Sequence, residues 1–268
     1  MNGFDVIIFL EVMKVLTEER QNYILEKIKR DNMVKIKELE YELDCSVSTV
    51  RRDLLELEEQ NLLVRVHGGA KRIYTLASEL EVKEKSSKNV QEKINIAQLA
   101  TSHVNENDVI YLDAGTTTYE MIPFLQTIKG LLVVTNGVKH ADYLVDNNIS
   151  AILIGGQIKP ETKAIIGSVA LSQLSQYRFN KSFLGINGVD IEFGFTTPDP
   201  EEALLKNRAA SLSNKTFILA DHTKFDKVNF AKVGELEDYL IITNKVQDKT
   251  QKRKTDYEQW TKVLEASK

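Results

Sequence analysis

From residue 91 onward the chain alternates two kinds of run, and that alternation limits the fold more than any other feature. Short apolar segments read as strands: Val109–Asp113, Leu131–Thr135, Ala151–Ile154, Ser182–Ile186, Thr216–Ala220 and Leu240–Ile242. Between and before them lie amphipathic stretches at 91–104, 117–126, 137–146, 168–177 and 201–213, which read as helices. Strands spaced by helix-length connections predict a mostly parallel sheet with helices on both faces. This α/β domain is expected over 91–250. The last stretch, 251–268, reads as a charged surface helix, its Lys252-Arg253-Lys254 run a solvated face.

The first part of the chain follows a different period. Ile24, Leu25 and Ile28 form one apolar face, and Val34, Ile36, Leu39 and Leu43 a second. In "DCSVSTVRRDLLELEEQN" Ser46 has the side chain to cap a third helix, and Val50, Leu54 and Leu57 are its buried stripe. Val64 and Val66 then alternate with Arg65 and His67, and Gly68-Gly69 turns the chain back through Ala70–Ile73. Residues 13–73 therefore predict a winged helix-turn-helix of α+β class, and the polar stretch 74–90 a linker. Residues 1–12 are either a leader or lie before a true start at Met13. Their apolar run, Val6 to Leu10, is far short of the ~20 residues that span a bilayer, so no membrane partner is expected.

A net charge of −4 points to no nucleic acid by itself, but charge sums hide local patches. Residues 13–72 hold as many acids as bases. The acids gather at Glu38–Asp44 and Glu56–Glu59, whereas the arginines stand at the start of the third helix and on the hairpin. With Val50, Leu54 and Leu57 facing inward, Ser48, Thr49, Arg51 and Arg52 lie on the flanks that a recognition helix presents to a major groove. Ser46, Arg65, His67, Lys71 and Arg72 complete the candidate DNA face. A protein-interaction module with scattered arginine pairs is the plainer alternative.

One short stretch carries the ligand chemistry. In "LDAGTTTYEM" an apolar run meets Asp113, a glycine and three threonines before a possible helix. Gly115 lets backbone approach an anion, and N–H groups of Thr116, Thr117 and Thr118 at a helix start can hold phosphate oxygens. Thr135 and Asn136, and Gly155 and Gly156, follow two further strands and so end at the same edge. Lys224, after another strand, can add positive charge, and an ionised Asp113 can accept from a sugar hydroxyl. The plainer readings are a threonine-capped turn at 115–118, an Asn-Gly turn at 136–137 and a surface ion pair for Lys224. The four histidines lack metal-ligand spacing, so no metal or cofactor is expected. Single Cys45 reads as a packed residue in a reducing, cytoplasmic setting.

Eight collinear fragments sharpen this picture: "LTEERQNYILEKI", "SVSTVRRDLLELEEQNLLVRVHGGA", "DAGTTT", "VVTNG", "GGQIKPETKAIIG", "FLGINGVD", "GFTTPDPEEA" and "ADHTKF". Together, over about Leu16 to Asn244, they resemble the DeoR family of bacterial transcriptional regulators. The resemblance implies an N-terminal domain that binds operator double-stranded DNA. It also implies a sensor domain similar in fold to ribose-5-phosphate isomerases and glucosamine-6-phosphate deaminases, whose effector is a sugar phosphate. It implies a homo-oligomer, dimer or tetramer, that reads paired half-sites. Asp190 matches one acid of the enzymes' acid-rich segment, much of which is replaced here, while Glu201, Glu202 and Lys206 could still touch ligand. Binding without catalysis is therefore expected, with no catalytic residues; an isomerase- or deaminase-like enzyme with a fused DNA-binding head is the alternative. Within the family the chain looks most like repressors of sugar-phosphotransferase operons, with fructose 1-phosphate the first candidate effector and a tagatose phosphate the second.

Overall fold

The computed structural model describes residues 17–28, 31, 33–73, 82–244 and 257–266. Two compact units divide at Tyr74/Thr75. The leader question (1–12), the start of the expected linker (74–81) and the KRK run all lie outside the described residues.

The first unit opens with helix α1 over 17–28, then β1 (Met33–Lys35), α2 (Ile36–Glu42), α3 (Val47–Glu59), β2 (Leu63–Val66) and β3 (Gly69–Arg72). Ser46 caps α3, its side chain accepting from Thr49 N at 3.2 Å. Ile24, Ile28, Leu39, Val50, Leu54, Leu57 and Leu63 close one apolar core. Asp53 sits on the buried side of α3 and is 1% exposed. Arg20 from α1 meets it with two hydrogen bonds, Nε at 2.8 Å and Nη2 at 3.0 Å, which compensates the buried carboxylate. The wing differs from expectation in two respects. It has three antiparallel strands in the order β1-β3-β2, because β1 pairs with β3. Leu63, not Val64, faces the core, and Val64 is exposed.

In the second unit the elements run α4 (Val82–Ser87), α5 (Val90–Thr101), β4 (Val109–Leu112), α6 (Thr116–Tyr119), α7 (Ile122–Leu125), β5 (Leu132–Thr135), α8 (Val138–Asp146) and β6 (Ser150–Leu153). They continue through β7 (Gln157–Ile158), β8 (Ile165–Ile166), α9 (Ser168–Leu174), β9 (Lys181–Gly185), β10 (Gly188–Asp190), β11 (Gly194–Thr197) and α10 (Pro200–Ser211). The last are β12 (Thr216–Leu219), β13 (Ala231–Gly234), β14 (Leu240–Asn244) and β15 (Val263–Ala266). Seven strands make a parallel sheet in the order β15-β14-β12-β9-β4-β5-β6. Alternate residues of each strand enter opposite cores. Ile110, Leu112, Phe183, Phe217 and Leu219 pack with α5, α7 and α8, whereas Tyr111, Leu184 and Ile218 pack with α9, α10 and a small sheet β10-β11-β13. Two apolar faces explain why these strands read as unbroken apolar runs.

Three expectations are corrected. Part of the expected linker is helix α4, followed by a two-residue bend into α5. The single helix expected over 117–126 is two short ones, α6 and α7, the second with a proline in its first turn. Within the expected C-terminal helix, Val263–Ala266 are instead strand β15, parallel to β14, with its Val263 and Ala266 buried. A segment that pairs with a sheet edge gains hydrogen bonds that its charged neighbours do not advertise. Among the described residues no helix is long and apolar enough to cross a membrane.

Candidate functional site

Strand order determines where a ligand can sit. The chain steps outward from β4 to β5 and β6, then returns to the other side of β4 with β9 and steps outward again through β12, β14 and β15. Between β4 and β9 the direction of winding reverses, and in open parallel sheets the crevice beyond such a reversal is the usual ligand site. The loops after β4 and β9 meet there, Gly185 N donating to Asp113 Oδ2 at 3.0 Å. A cavity of about 350 Å³ opens above them, lined by Asp113, Gly115, Thr116 and Thr117 from one loop and Gly185, Ile186 and Asn187 from the other.

Asp113 anchors the floor. Its Oδ2 accepts from Gly185 N at 3.0 Å and forms an ion pair with Lys206 Nζ, both side chains buried. Lys206 arrives on α10, which Asp199 starts by accepting from the N–H groups of Glu201 and Glu202 at 2.8 and 3.1 Å. Glu202 faces the cavity; it accepts from Thr162 Oγ1 at 2.8 Å and pairs with Lys159 at 3.2 Å.

The opposite wall is basic. Lys224 and Lys227 follow β12, while Lys85 comes from α4, Lys88 from the bend after it and Lys93 from α5. Six lysines thus line the cavity against three carboxylates, Asp113, Glu202 and Asp221. Burial pushes the Asp221 carboxyl up, but the Lys224 charge and the Thr223 hydrogen bonds outweigh it and hold the group below its ordinary range. Burial pulls the Lys93 ammonium down, with Asp221 opposing that shift and Lys224 adding to it. Lysines outnumber carboxylates in this lining, and N–H groups at the first turn of α6 lack intrahelical acceptors by position. Such a cavity can hold a polyol bearing a phosphate group. A smaller space of about 150 Å³ lies beside it, lined by Gly115, Thr116, Tyr119, Lys139 and His140.

The sequence-predicted ligand residues divide between the cavity and its supports. Asp113, Gly115, Thr116, Thr117, Glu202, Lys206 and Lys224 line the cavity. Thr118 stands behind it, fully buried, its Oγ1 donating to Asp113 O at 2.6 Å and accepting from Gly115 N at 3.0 Å. Asn136 Oδ1 accepts from Ala114 N at 2.9 Å and so braces the β4 loop, whereas Thr135 Oγ1 accepts from Gly137 N within the loop after β5. Gly155 and Gly156 follow β6, two strands away from the reversal, where Gly155 N donates to Gln173. Asp190 closes the β10–β11 turn, accepting from Glu192 N and Phe193 N. Lying at the carboxyl end of a strand was therefore not enough; adjacency to the reversal decides. Sequence reasoning missed Lys85, Lys88, Asn89, Lys93, Thr162, Asp221 and Lys227. For Lys93 a signal existed, a lysine at helical spacing from Ile96, Ala97 and Ala100 on the apolar stripe of α5.

On the first unit Ser48, Arg51 and Arg52 are exposed on α3 and Thr49 is half-buried. Neither arginine has an ion pair among the described residues. Ser46 spends its side chain on the cap and on contacts with Ser48 and Thr49. His67 and Lys71 are exposed on the wing, and Arg72 is half-buried. Arg65 ties the wing to α3: its Nε reaches Glu58 at 2.6 Å and its N–H donates to the same carboxylate at 2.8 Å. Among the described residues there is no cluster of three or more His, Cys, Asp or Glu that could hold a metal ion.

Comparison with known proteins gives matching assignments for both units. Residues 20–75 match the DeoR-like helix-turn-helix domain and residues 88–245 the DeoR C terminal sensor domain. An uncharacterized HTH-type transcriptional regulator, FruR of Bacillus subtilis, is 48% identical over 88% of this chain and 94% of its own. The lactose phosphotransferase system repressor of Lactococcus lactis is 34% identical over 93% of this chain and 98% of its own. Among solved structures, ribose 5-phosphate isomerase A of Neisseria gonorrhoeae overlaps 50% of this chain and 53% of its own, at 20% identity and a TM-score of 0.38.

Proposed function

The chain belongs to the DeoR family of transcriptional regulators and is not an enzyme, and on that premise we propose that it represses a sugar-utilisation operon and is released from its operator by a phosphorylated sugar. Arg51, Arg52, Ser48 and Thr49 on α3 would read base edges in the major groove, with His67 and Lys71 on the wing against phosphates. The effector would lie in the cavity at the strand reversal, its phosphate toward the lysine wall and its hydroxyls toward Asp113 and Glu202. The chain would act as a homo-oligomer, dimer or tetramer, on paired half-sites in the cytoplasm. Fructose 1-phosphate is the first candidate and a tagatose phosphate the second.

One observation carries the reading: six lysines against three carboxylates in a cavity of sugar-phosphate size at the one strand reversal of the sheet. The likeness to the lactose phosphotransferase system repressor, over nearly its whole length, supports repression of a sugar operon. The isomerase-like alternative is set aside by the family itself. Isothermal calorimetry tests the effector. Fructose 1-phosphate should bind and unphosphorylated fructose should not, and Lys224→Ala should weaken binding about tenfold, the loss of one charge-assisted contact. Equal heats with and without the phosphate would refute a phosphate-reading site.

A further inference from the structure

The basic wall of the cavity is not part of the sheet. It is supplied largely by a short arm, α4 with the bend that follows it and the start of α5, and in sequence α4 is the first described element after the helix-turn-helix unit. The bend turns at Asn89, which holds a left-handed conformation (φ 52°, ψ 42°) that few side chains adopt without cost. Among the arm's bonds are two made between groups that line the cavity. Lys93 Nζ donates to the carbonyl oxygen of Lys85 near the end of α4, and Asn89 Nδ2 donates to Asp221 Oδ1 at 3.3 Å. Lys93 and Asp221 are both buried, so neither can trade these contacts for water. The arm also packs on α6, the helix that begins after Gly115. An anion entering beside Lys93 and Lys224 would draw the ammonium of Lys93 away from the Lys85 carbonyl and attract Lys85 and Lys88 inward.

We infer that α4 is the element through which occupancy of the cavity is read: the phosphate group closes α4 onto the cavity about the Asn89 bend, and the new position of α4 is what the preceding chain transmits. This rests on the reading of the cavity as a sugar-phosphate site. Its content is that effector contact and signal output share one short arm, α4 with its bend and the start of α5, rather than the signal crossing the sheet.

The test is hydrogen exchange of the full-length protein, with and without fructose 1-phosphate, alongside calorimetry on the same samples. Backbone amides of 82–92 are expected to slow about tenfold or more on binding, and excess inorganic phosphate should produce the same protection at higher concentration. Asn89→Gly keeps the left-handed bend open to the chain but removes the bond to Asp221. At fructose 1-phosphate concentrations that saturate the variant, its operator release should fall to less than about a third of the wild-type fold-change. Heat of binding without any change in exchange over 82–92, or full release by the saturated variant, overturns the inference. No heat with any phosphorylated sugar overturns the reading of the cavity, and this inference with it.

Discussion

Individual buried charges show most clearly what each unit needs. Arg20 and Asp53 join α1 to α3 through two hydrogen bonds, and Asp53 is almost fully buried. Removing one partner of such a pair strands the other, so Arg20→Ala should destabilise the helix-turn-helix unit by about 3 kcal/mol. Urea unfolding followed by helical circular dichroism checks this, and an unchanged first transition would contradict it. His140 is a second case. It is 4% exposed, its Nε2 3.1 Å from Thr118 Oγ1 behind the cavity loop, and burial lowers its pKa to about 4. A histidine whose folded value is depressed favours unfolding as it protonates. Its contribution is intact above the unfolded value, declines as pH falls through the window from 6.5 to about 4, and is constant below it. The full difference is on the order of 3 kcal/mol. Stability of the wild type measured from pH 7 to pH 4.5 should therefore fall more steeply than that of His140→Asn, and parallel curves would show that His140 is not the titrating group.

Among the elements, the wing makes the sharpest demand on sequence. A Cβ at Gly69 would lie 1.9 Å from the carbonyl oxygen of Val34, where β1 meets β3, whereas one at Gly68, in the turn with φ +83°, would meet nothing within 4 Å. Gly68→Ala should cost only about 1 kcal/mol of backbone strain. Gly69→Ala must push β1 off β3, so it should lower the melting temperature far more and weaken operator binding as well; equal shifts for the two variants would contradict the three-stranded wing. Sequence pattern anticipated the hairpin but not β1, because three residues, Met33–Lys35, carry no period of their own and become a strand only through pairing with β3. The same limit explains β15 and the β10-β11-β13 sheet, whose partners are distant in the chain. Strands β4, β5, β9 and β12 were legible because both of their faces are apolar. In the site, the β4 loop was legible from its glycine and threonines. The lysine wall was not, since Lys85, Lys88, Lys93 and Lys227 converge only after the sheet places α4, α5 and the loop after β12 around one reversal.

At the scale of the whole molecule, two units divide the work: α3 and the wing present Arg51, Arg52, His67 and Lys71, and the sensor unit holds the lysine-lined cavity. A repressor built this way needs only that the effector prefer the sensor conformation that disfavours DNA. Linkage is then reciprocal, so operator DNA weakens effector binding by the same factor. The central claim is tested by fluorescence anisotropy of a labelled duplex from the chain's own promoter, bound by the full-length protein and titrated with fructose 1-phosphate, with Arg52→Ala as the control for specific contact. Operator affinity is predicted to fall by about 5- to 150-fold as the cavity saturates. An affinity that stays constant while calorimetry shows the sugar phosphate bound would contradict the account.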